Sequence, residues 1–281
     1  MSDGAGIQSS WRRGLAFAAI VFAGETIFLL PFILPRLFRP LMLQQWQISN
    51  LELGAAMSTY GIVAAISYAF GGPLADRFDA KRLMVTALLA TALTGTLMWG
   101  RPTPLRLSLA YACFGGTTIL LFWSALVRAT HDLGSRQSRA FAFGIVEAGR
   151  GAVAATLGMI ATSSWLGTPA TDGSQVNASQ VNATQQPSVN ILVTFAILTV
   201  IAAAVAIAIG LPRPSPPDAA SPDRSPPDRS SPATTPVKQW DRRMMAQVCK
   251  NPSVWLQSVI LLAAYNGWKC IDLFGVYLTD L

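Results

Sequence analysis

Two side chains of opposite charge lie three positions apart in a stretch of sequence that is otherwise apolar or small. They are Glu147 and Arg150, within residues 143–151. A spacing of three places them on neighbouring positions of one helical face. A guanidinium can bind a carboxylate or phosphate, and a carboxylate beside it can neutralise it or carry a proton. The pair is therefore either an anion-binding group with its partner, or a structural ion pair that fixes helix register.

Two other apolar stretches contain polar residues that could bind a solute. Glu25 stands alone at the centre of the first stretch. Near the end of the chain, Tyr265, Trp268, Lys269 and Asp272 follow the i, i+3/i+4, i+7 spacing of one helix face. These residues could bind a substrate or a proton. Alternatively, Lys269 and Asp272 pair within their own helix, and Glu25 bonds a hydroxyl such as that of Thr26.

The elements that must position these residues are long apolar segments. Of 281 residues, 52% are hydrophobic and only 12% charged, whereas about a quarter of a soluble domain is charged. A helix needs about 20 apolar residues to cross a membrane. Seven segments reach or approach that length: 14–34, 51–74, 83–99, 105–127, 140–161, 191–211 and 254–278. The chain is therefore predicted to be a membrane protein, and its net charge of +7 indicates no nucleic-acid partner because the basic residues flank these segments.

The segments between the predicted spans indicate the topology. With the N-terminus in the cytoplasm, fifteen Lys and Arg residues fall on the cytoplasmic side and four on the other, which is the bias typical of membrane proteins. Residues 212–252 are rich in Ser, Pro and Asp and are predicted to be a disordered cytoplasmic linker. The predicted organisation is a six-helix bundle over residues 1–211, this linker, and a seventh helix within residues 253–281.

A charged loop between the second and third predicted spans, residues 72–82, has the pattern G-x-L-x-D-R-x-x-x-[RK]-[RK]. Its fixed positions are Gly72, Asp76, Arg77, Lys81 and Arg82. The pattern resembles the loop between helices two and three of major facilitator superfamily (MFS) transporters, which implies a gating role at the cytoplasmic side. Asp79 stands where that family has glycine. Because Asp tolerates the left-handed conformation, we expect the turn to be kept.

The resemblance implies an all-α polytopic fold, an MFS-type six-helix N-terminal bundle plus a seventh transmembrane helix. We therefore expect a truncated chain that lacks the rest of its C-terminal bundle. In this family helices one and seven line the central cavity, so we predict that Glu25 and Lys269 face each other across it. The pattern around Arg150 is similar to that of some MFS carriers of organic anions and sugar derivatives. Tyr111 and Trp123 are interpreted as packing or interface residues.

The predicted function is secondary active transport of a small, anionic or sugar-derived metabolite across the cell (inner) membrane by alternating access. The alternative is a non-transporting seven-helix protein such as a receptor or scaffold. No enzymatic activity, cofactor or metal is expected, because no catalytic motif occurs and the single histidine, His131, is predicted to lie in a loop. Expected partners are the lipid bilayer, the substrate, a coupling proton or ion, and the missing C-terminal bundle.

Overall fold

The computed structural model describes residues 3–133, 139–166, 188–211, 250–257, 259–260 and 263. Most of the predicted linker lies outside this part of the chain, as do Tyr265, Trp268, Lys269 and Asp272. The chain divides into two compact units, Met1–Pro214 and Ser215–Leu281. In the second unit residues 252–257 are helical.

The described residues of the first unit form helices and no strand. In chain order the helices are α1 (Asp3–Thr26), α2 (Leu34–Leu37), α3 (Arg39–Trp46), α4 (Asn50–Arg77), α5 (Ala80–Gly95), α6 (Pro104–Gly115), α7 (Ser124–Leu133), α8 (Arg139–Leu166) and α9 (Val189–Gly210). Two π-helical segments interrupt longer helical stretches, Leu29–Ile33 after α1 and Gly116–Trp123 between α6 and α7. A 3₁₀ turn, Thr96–Met98, follows α5.

Four stretches of the described chain are long and apolar enough to cross a membrane: Trp11–Leu37, Pro104–Leu133, Ala140–Ile160 and Val189–Gly210. The second and third predicted spans, in α4 and α5, are not among them. α4 has 28 residues, but serine, threonine, tyrosine and glycine dilute its apolar residues. α5 has 16 residues, and Lys81 and Arg82 lie in its first turn. The crossing of the membrane by α4 and α5 stays a prediction.

Local sequence signals set the ends of these helices. Ser49 and Glu52 form a capping box at the start of α4, in which the Glu52 carboxylate accepts the Ser49 N–H at 2.7 Å and Ser49 Oγ accepts the Glu52 N–H at 3.2 Å. Thr103 caps α6, and Pro104 follows at its first position. Ser188 caps α9. The starts of three helices are therefore encoded by short-range chemistry.

Close packing of the helices produces one continuous apolar core. α4 packs along α6, α5 along α9, and α1 against both α8 and α9. The crossing of α4 and α6 depends on Gly115, where a Cβ atom would lie 2.7 Å from the carbonyl oxygen of Tyr60. Small residues of this kind let helix backbones approach each other in a membrane. The contact between α1 and α8 places the predicted charged residues side by side.

Candidate functional site

Helices α1 and α8 bring three predicted site residues together. Nε of Arg150 lies 3.3 Å from Oε2 of Glu25 and donates to the carbonyl oxygen of Gly24 at 3.2 Å. Nη1 of Arg150 donates to both carboxylate oxygens of Glu147 at 3.0 Å. One guanidinium group is therefore shared between two carboxylates that belong to different helices.

This cluster lies near the middle of two candidate membrane spans. Arg150 is at the centre of Ala140–Ile160, and Glu25 is near the centre of Trp11–Leu37. At about 1.5 Å per residue, both residues are roughly 15–20 Å from either end of their spans, which is about half the thickness of the hydrocarbon core or more. A charged side chain at that depth costs about 2.5–3.5 kcal/mol on insertion scales. Mutual neutralisation explains why these residues are paired.

Two glycines allow α1 and α8 to approach closely at the cluster. A Cβ atom on Gly24 would lie 3.1 Å from Cδ of Arg150, and one on Gly149 would lie 2.7 Å from Cγ1 of Val21. Larger residues at these positions would separate the helices. The aliphatic part of Arg150 therefore lies directly against the backbone of α1, and this contact brings Nε to the Gly24 carbonyl.

Two aromatic rings flank the guanidinium group. Its Cζ lies 5.6 Å from the ring centroid of Phe28 and 5.3 Å from that of Trp123, which is within the range of a cation–π contact. The two rings meet edge to face with their centroids 6.3 Å apart. The aromatic series continues through Phe32 to Tyr60. A cationic group between flat apolar surfaces suits an organic anion, because the cation can bind the anionic group and the surfaces can contact the organic body.

Both rings stand at π-helical segments. Phe28 immediately precedes Leu29–Ile33, and Trp123 is the last residue of Gly116–Trp123. Such segments change the direction of side chains within a helix and are frequent at functional sites. The sequence interpretation assigned Trp123 to packing and did not single out Phe28. The available signal was the position of Phe28, three residues after Glu25.

The three charged side chains differ in exposure. Arg150 and Glu25 are 15% and 14% exposed, whereas Glu147 is 60% exposed. Within the described part of the chain, Nη2 of Arg150 has no hydrogen-bond partner. The Nε edge of the guanidinium group is therefore held in the protein, and Glu147 is the accessible member of the cluster.

Glu25 has a cationic partner that the sequence did not indicate. The hydroxyl of Thr26 donates to the carbonyl oxygen of Phe22 at 2.9 Å, a bond within its own helix. Lys269 lies outside the described residues, so its pairing with Glu25 stays a prediction. In the described part of the chain, the cationic partner of Glu25 is Arg150.

The predicted gating loop is a short connection between α4 and α5. Its predicted residues lie in the last turns of α4 and the first turn of α5: Gly72, Asp76, Arg77, Lys81 and Arg82. Asp79, which stands in the place of the family's glycine, does not use the left-handed conformation. Its φ and ψ are −64° and 125°, and its side chain accepts the Lys81 N–H at 3.3 Å. Asp79 is an N-cap residue of α5, a position that aspartate favours because its oxygen satisfies a free backbone donor.

Two basic side chains bond to helix ends around this loop. Nζ of Lys81 donates to the carbonyl oxygen of Leu211 at 2.7 Å, at the end of α9. Arg128 of α7 donates to the carbonyl oxygens of Ala75 and Phe78 at the end of α4. Cations are favourable at helix C-termini. In the sequence Arg128 contributed only to the topology, because its contact with α4 has no local pattern.

A cavity of about 320 Å³ lies at the opposite end of the bundle, lined by Gln45, Gly100, Arg101, Val189 and Asn190. Oε1 of Gln45 accepts the Val189 N–H at 2.8 Å, and Oδ1 of Asn190 accepts the Gly100 N–H at 2.8 Å. These bonds tie α3 and the connection between α5 and α6 to the start of α9. The one charged residue of the lining, Arg101, is exposed, so this cavity is a weaker candidate site than the cluster at Arg150.

Comparison with known proteins extends the resemblance beyond one loop. A sequence profile of the Major Facilitator Superfamily matches residues 15–280. Inner membrane protein YqcE of Escherichia coli (strain K12) is 34% identical over 144 residues, which are 51% of this chain and 34% of YqcE. Inner membrane protein YihN of the same organism is 27% identical over 158 residues, which are 56% of this chain and 37% of YihN. The matched part of the chain thus spans little more than a third of either relative.

No solved structure matches the chain significantly. The helices and candidate spans of the described residues agree with the profile match, and the prediction of an all-α polytopic membrane protein is confirmed. The match extends over almost the entire sequence. The chain belongs to the major facilitator superfamily.

Proposed function

We propose that this protein is a secondary active transporter that carries a small organic anion across the inner membrane by alternating access. The observation that carries the proposal is the position of Arg150, which is 15% exposed, at mid-depth, held by Glu25 and flanked by two aromatic rings. Membership of the superfamily supports membrane transport in general. Two relatives that are named inner membrane proteins support the location.

A purely structural ion pair is the competing explanation for Arg150. The desolvation of two buried ions offsets much of their attraction, so a buried pair gives little net stability. Two features favour binding. Glu147 is 60% exposed, and Nη2 of Arg150 has no partner among the described residues. An anion site needs an accessible edge of the guanidinium group, whereas a structural pair does not.

The other wall of the site is assigned, within this proposal, to the predicted seventh span. Tyr265 and Trp268 would contact the body of an anionic or sugar-derived metabolite. Lys269 would supply a second positive charge, with Asp272 as a further polar residue on the same face. This arrangement requires a C-terminal bundle as the partner of the six-helix bundle. A coupling proton or ion would be carried by the carboxylates at Arg150.

The gate is assigned to the loop between α4 and α5, with the N-terminus in the cytoplasm. The distribution of Lys and Arg supports this orientation. The hydrogen bonds from Lys81 to Leu211 and from Arg128 to Ala75 support coupling between the helix ends on this side of the bundle. Because they join α4, α5, α7 and α9, a change of access at this end would have to break or move them.

Uptake into proteoliposomes that contain the full-length protein tests the proposal. Labelled monocarboxylates, sugar acids and sugar phosphates are supplied with and without a proton gradient. Arg150→Gln is compared with Arg13→Gln, a change at an exposed arginine near the start of the candidate span Trp11–Leu37. Saturable uptake that is lost in Arg150→Gln and retained in Arg13→Gln supports the proposal. Uptake that is indifferent to Arg150 contradicts the site, and binding without uptake points to a receptor.

A further inference from the structure

We propose that Glu147 occupies the place on Arg150 that the carboxylate of the substrate takes, so that substrate binding exchanges one carboxylate for another. This inference rests on the proposed role of Arg150 in anion binding. It gives the two glutamates different functions. Glu25 is the permanent counter-ion of the guanidinium group, and Glu147 is its displaceable occupant.

The hydrogen bonds of Arg150 divide its guanidinium group into two edges. Nε is used by Glu25 at 3.3 Å and by the Gly24 carbonyl at 3.2 Å. Both oxygens of Glu147 lie on the other side, 3.0 Å from Nη1. Planar carboxylates bind best to two parallel N–H groups of arginine. A substrate carboxylate that replaced Glu147 could use Nη1 and Nη2 together, which is one more donor atom than Glu147 uses.

Exposure separates the carboxylate that stays from the one that leaves. Glu25 is 14% exposed, and its removal would leave only the exposed Glu147 as counter-ion of a guanidinium group that is itself 15% exposed. Glu147 is 60% exposed, so its pair with Arg150 is less buried than the pair of Glu25 with Arg150, and a pair with an exposed member contributes less. An incoming anion therefore displaces Glu147 in preference to Glu25.

The helix leaves room for the displaced side chain. Glu147 has Gly144 three residues before it and Gly151 four residues after it, the positions that adjoin it on the surface of α8. No atom lies within 4 Å of where a Cβ would stand on either glycine. Because Glu147 and Arg150 are on the same helix, rotation of one side chain completes the exchange without movement of a helix.

Charge and shape then define the class of ligand. With Glu147 displaced, Arg150 and Glu25 neutralise each other, so a bound monoanion adds one negative charge and a dianion adds two. A second uncompensated charge is expensive in a site of low dielectric constant. Phe28 and Trp123 lie within 6 Å of the guanidinium carbon and offer flat apolar surfaces. The geometry therefore favours a monocarboxylate with a flat or apolar body.

Equilibrium binding to the purified full-length protein tests the exchange with three related probes. Labelled benzoate is the monocarboxylate, phthalate the dicarboxylate competitor, and benzamide the neutral competitor. Glu147→Gln and Glu147→Ala are each expected to raise the affinity for benzoate about two- to fivefold, the range that corresponds to loss of an exposed ion pair. Asp132→Asn is the matched control, since it removes an exposed acidic charge on α7 that pairs with Arg128. It is expected to leave the affinity unchanged.

Chemical labelling of carboxylates separates exchange from a general effect of charge. If benzoate displaces Glu147, carbodiimide labelling of Glu147 rises on addition of benzoate, while labelling of Asp132 stays constant. A ligand that binds beside an intact Glu147–Arg150 pair would leave the labelling of Glu147 unchanged or lower it. That result would overturn the exchange even if Glu147→Gln binds benzoate more tightly.

The outcomes separate this inference from the proposed function. Benzoate binding that is lost in Arg150→Gln and weakened in Arg150→Lys, but unaffected by Glu147→Gln, retains the anion site and refutes the exchange. Phthalate that competes as well as benzoate refutes the preference for a monoanion. No binding of benzoate to the wild-type protein, or binding that does not depend on Arg150, refutes both the site and the exchange.

Discussion

Nε of Arg150 on α8 lies 3.3 Å from Oε2 of Glu25 on α1, with both side chains largely buried. This contact joins two helices that are distant in the sequence and places a neutralised pair near the middle of two candidate spans. Glu147 holds the same guanidinium group from an exposed position. We therefore expect neutralisation of the two glutamates to change the stability of the protein by different amounts.

Neutralisation of Glu25 is expected to lower stability more than neutralisation of Glu147. Glu25→Gln removes the less exposed of the two carboxylates on Arg150 and leaves only the exposed Glu147, and breaking a buried pair costs about 3 kcal/mol. Glu147→Gln removes an exposed pair that is worth at most about 1 kcal/mol. Thermal unfolding of the detergent-solubilised protein measures both. Equal destabilisation by the two substitutions would show that Glu147 is also structural.

Arg150→Lys is expected to reduce the affinity for a transported anion at least about tenfold, which corresponds to about 1.4 kcal/mol. Lysine keeps the charge but lacks the planar fork that binds a carboxylate through two N–H groups and stacks on aromatic rings. Concentration dependence of uptake measures the change, with Arg13→Lys as the control. Wild-type affinity in Arg150→Lys would show that the anion responds to charge alone.

Gly24→Ala is expected to impair anion binding without unfolding the protein. Its Cβ would lie 3.1 Å from Cδ of Arg150, so that side chain must shift by a few tenths of an ångström, which weakens the bond from Nε to the Gly24 carbonyl. Gly14→Ala is the matched control on the same helix, since a Cβ there has no atom within 4 Å. Binding measurements and thermal unfolding of both variants check the prediction. Normal binding by Gly24→Ala would mean that the position of Arg150 is not critical.

Asp79→Ala is expected to destabilise the start of α5 by about 1 kcal/mol, the typical cost of an N-cap, whereas Asp79→Asn and Asp79→Gly cost only a few tenths. Glycine, which the family pattern has at this position, would thus be tolerated because it is also an acceptable N-cap residue. Thermal unfolding of the three variants measures the order. Equal stability of Asp79→Ala and Asp79→Asn would contradict a capping role.

Arg128→Gln is expected to loosen the end of α4. The guanidinium group of Arg128 donates hydrogen bonds to the carbonyl oxygens of Ala75 and Phe78. In the variant these oxygens can accept only from water or from the uncharged glutamine amide, which is a weaker donor. Hydrogen exchange of the last turn of α4 should accelerate several-fold, because opening that turn would break fewer bonds. Arg82→Gln, at an exposed arginine of α5, controls for the charge. Equal exchange in the two variants would contradict the cap.

Much of the architecture could be predicted from the sequence because its causes are local. Long apolar runs indicate membrane helices wherever they occur. The Glu147–Arg150 pair follows from a spacing of three on one helix. The loop at residues 72–82 resembles MFS transporters through the types and spacing of adjacent residues. None of these inferences requires knowledge of which helices are neighbours.

The tertiary structure alone decided which faces of different helices meet. Glu25 bonds to Arg150 because Gly24 and Gly149 let α1 and α8 approach closely, and no pattern along the chain encodes that choice. The placement of Phe28 and Trp123 beside Arg150 depends on π-helical segments that redirect side chains. Sequence by itself determined that the chain carries charged residues at membrane depth. Packing between helices determined that a carboxylate of α1, Glu25, shares the guanidinium group of Arg150 with Glu147.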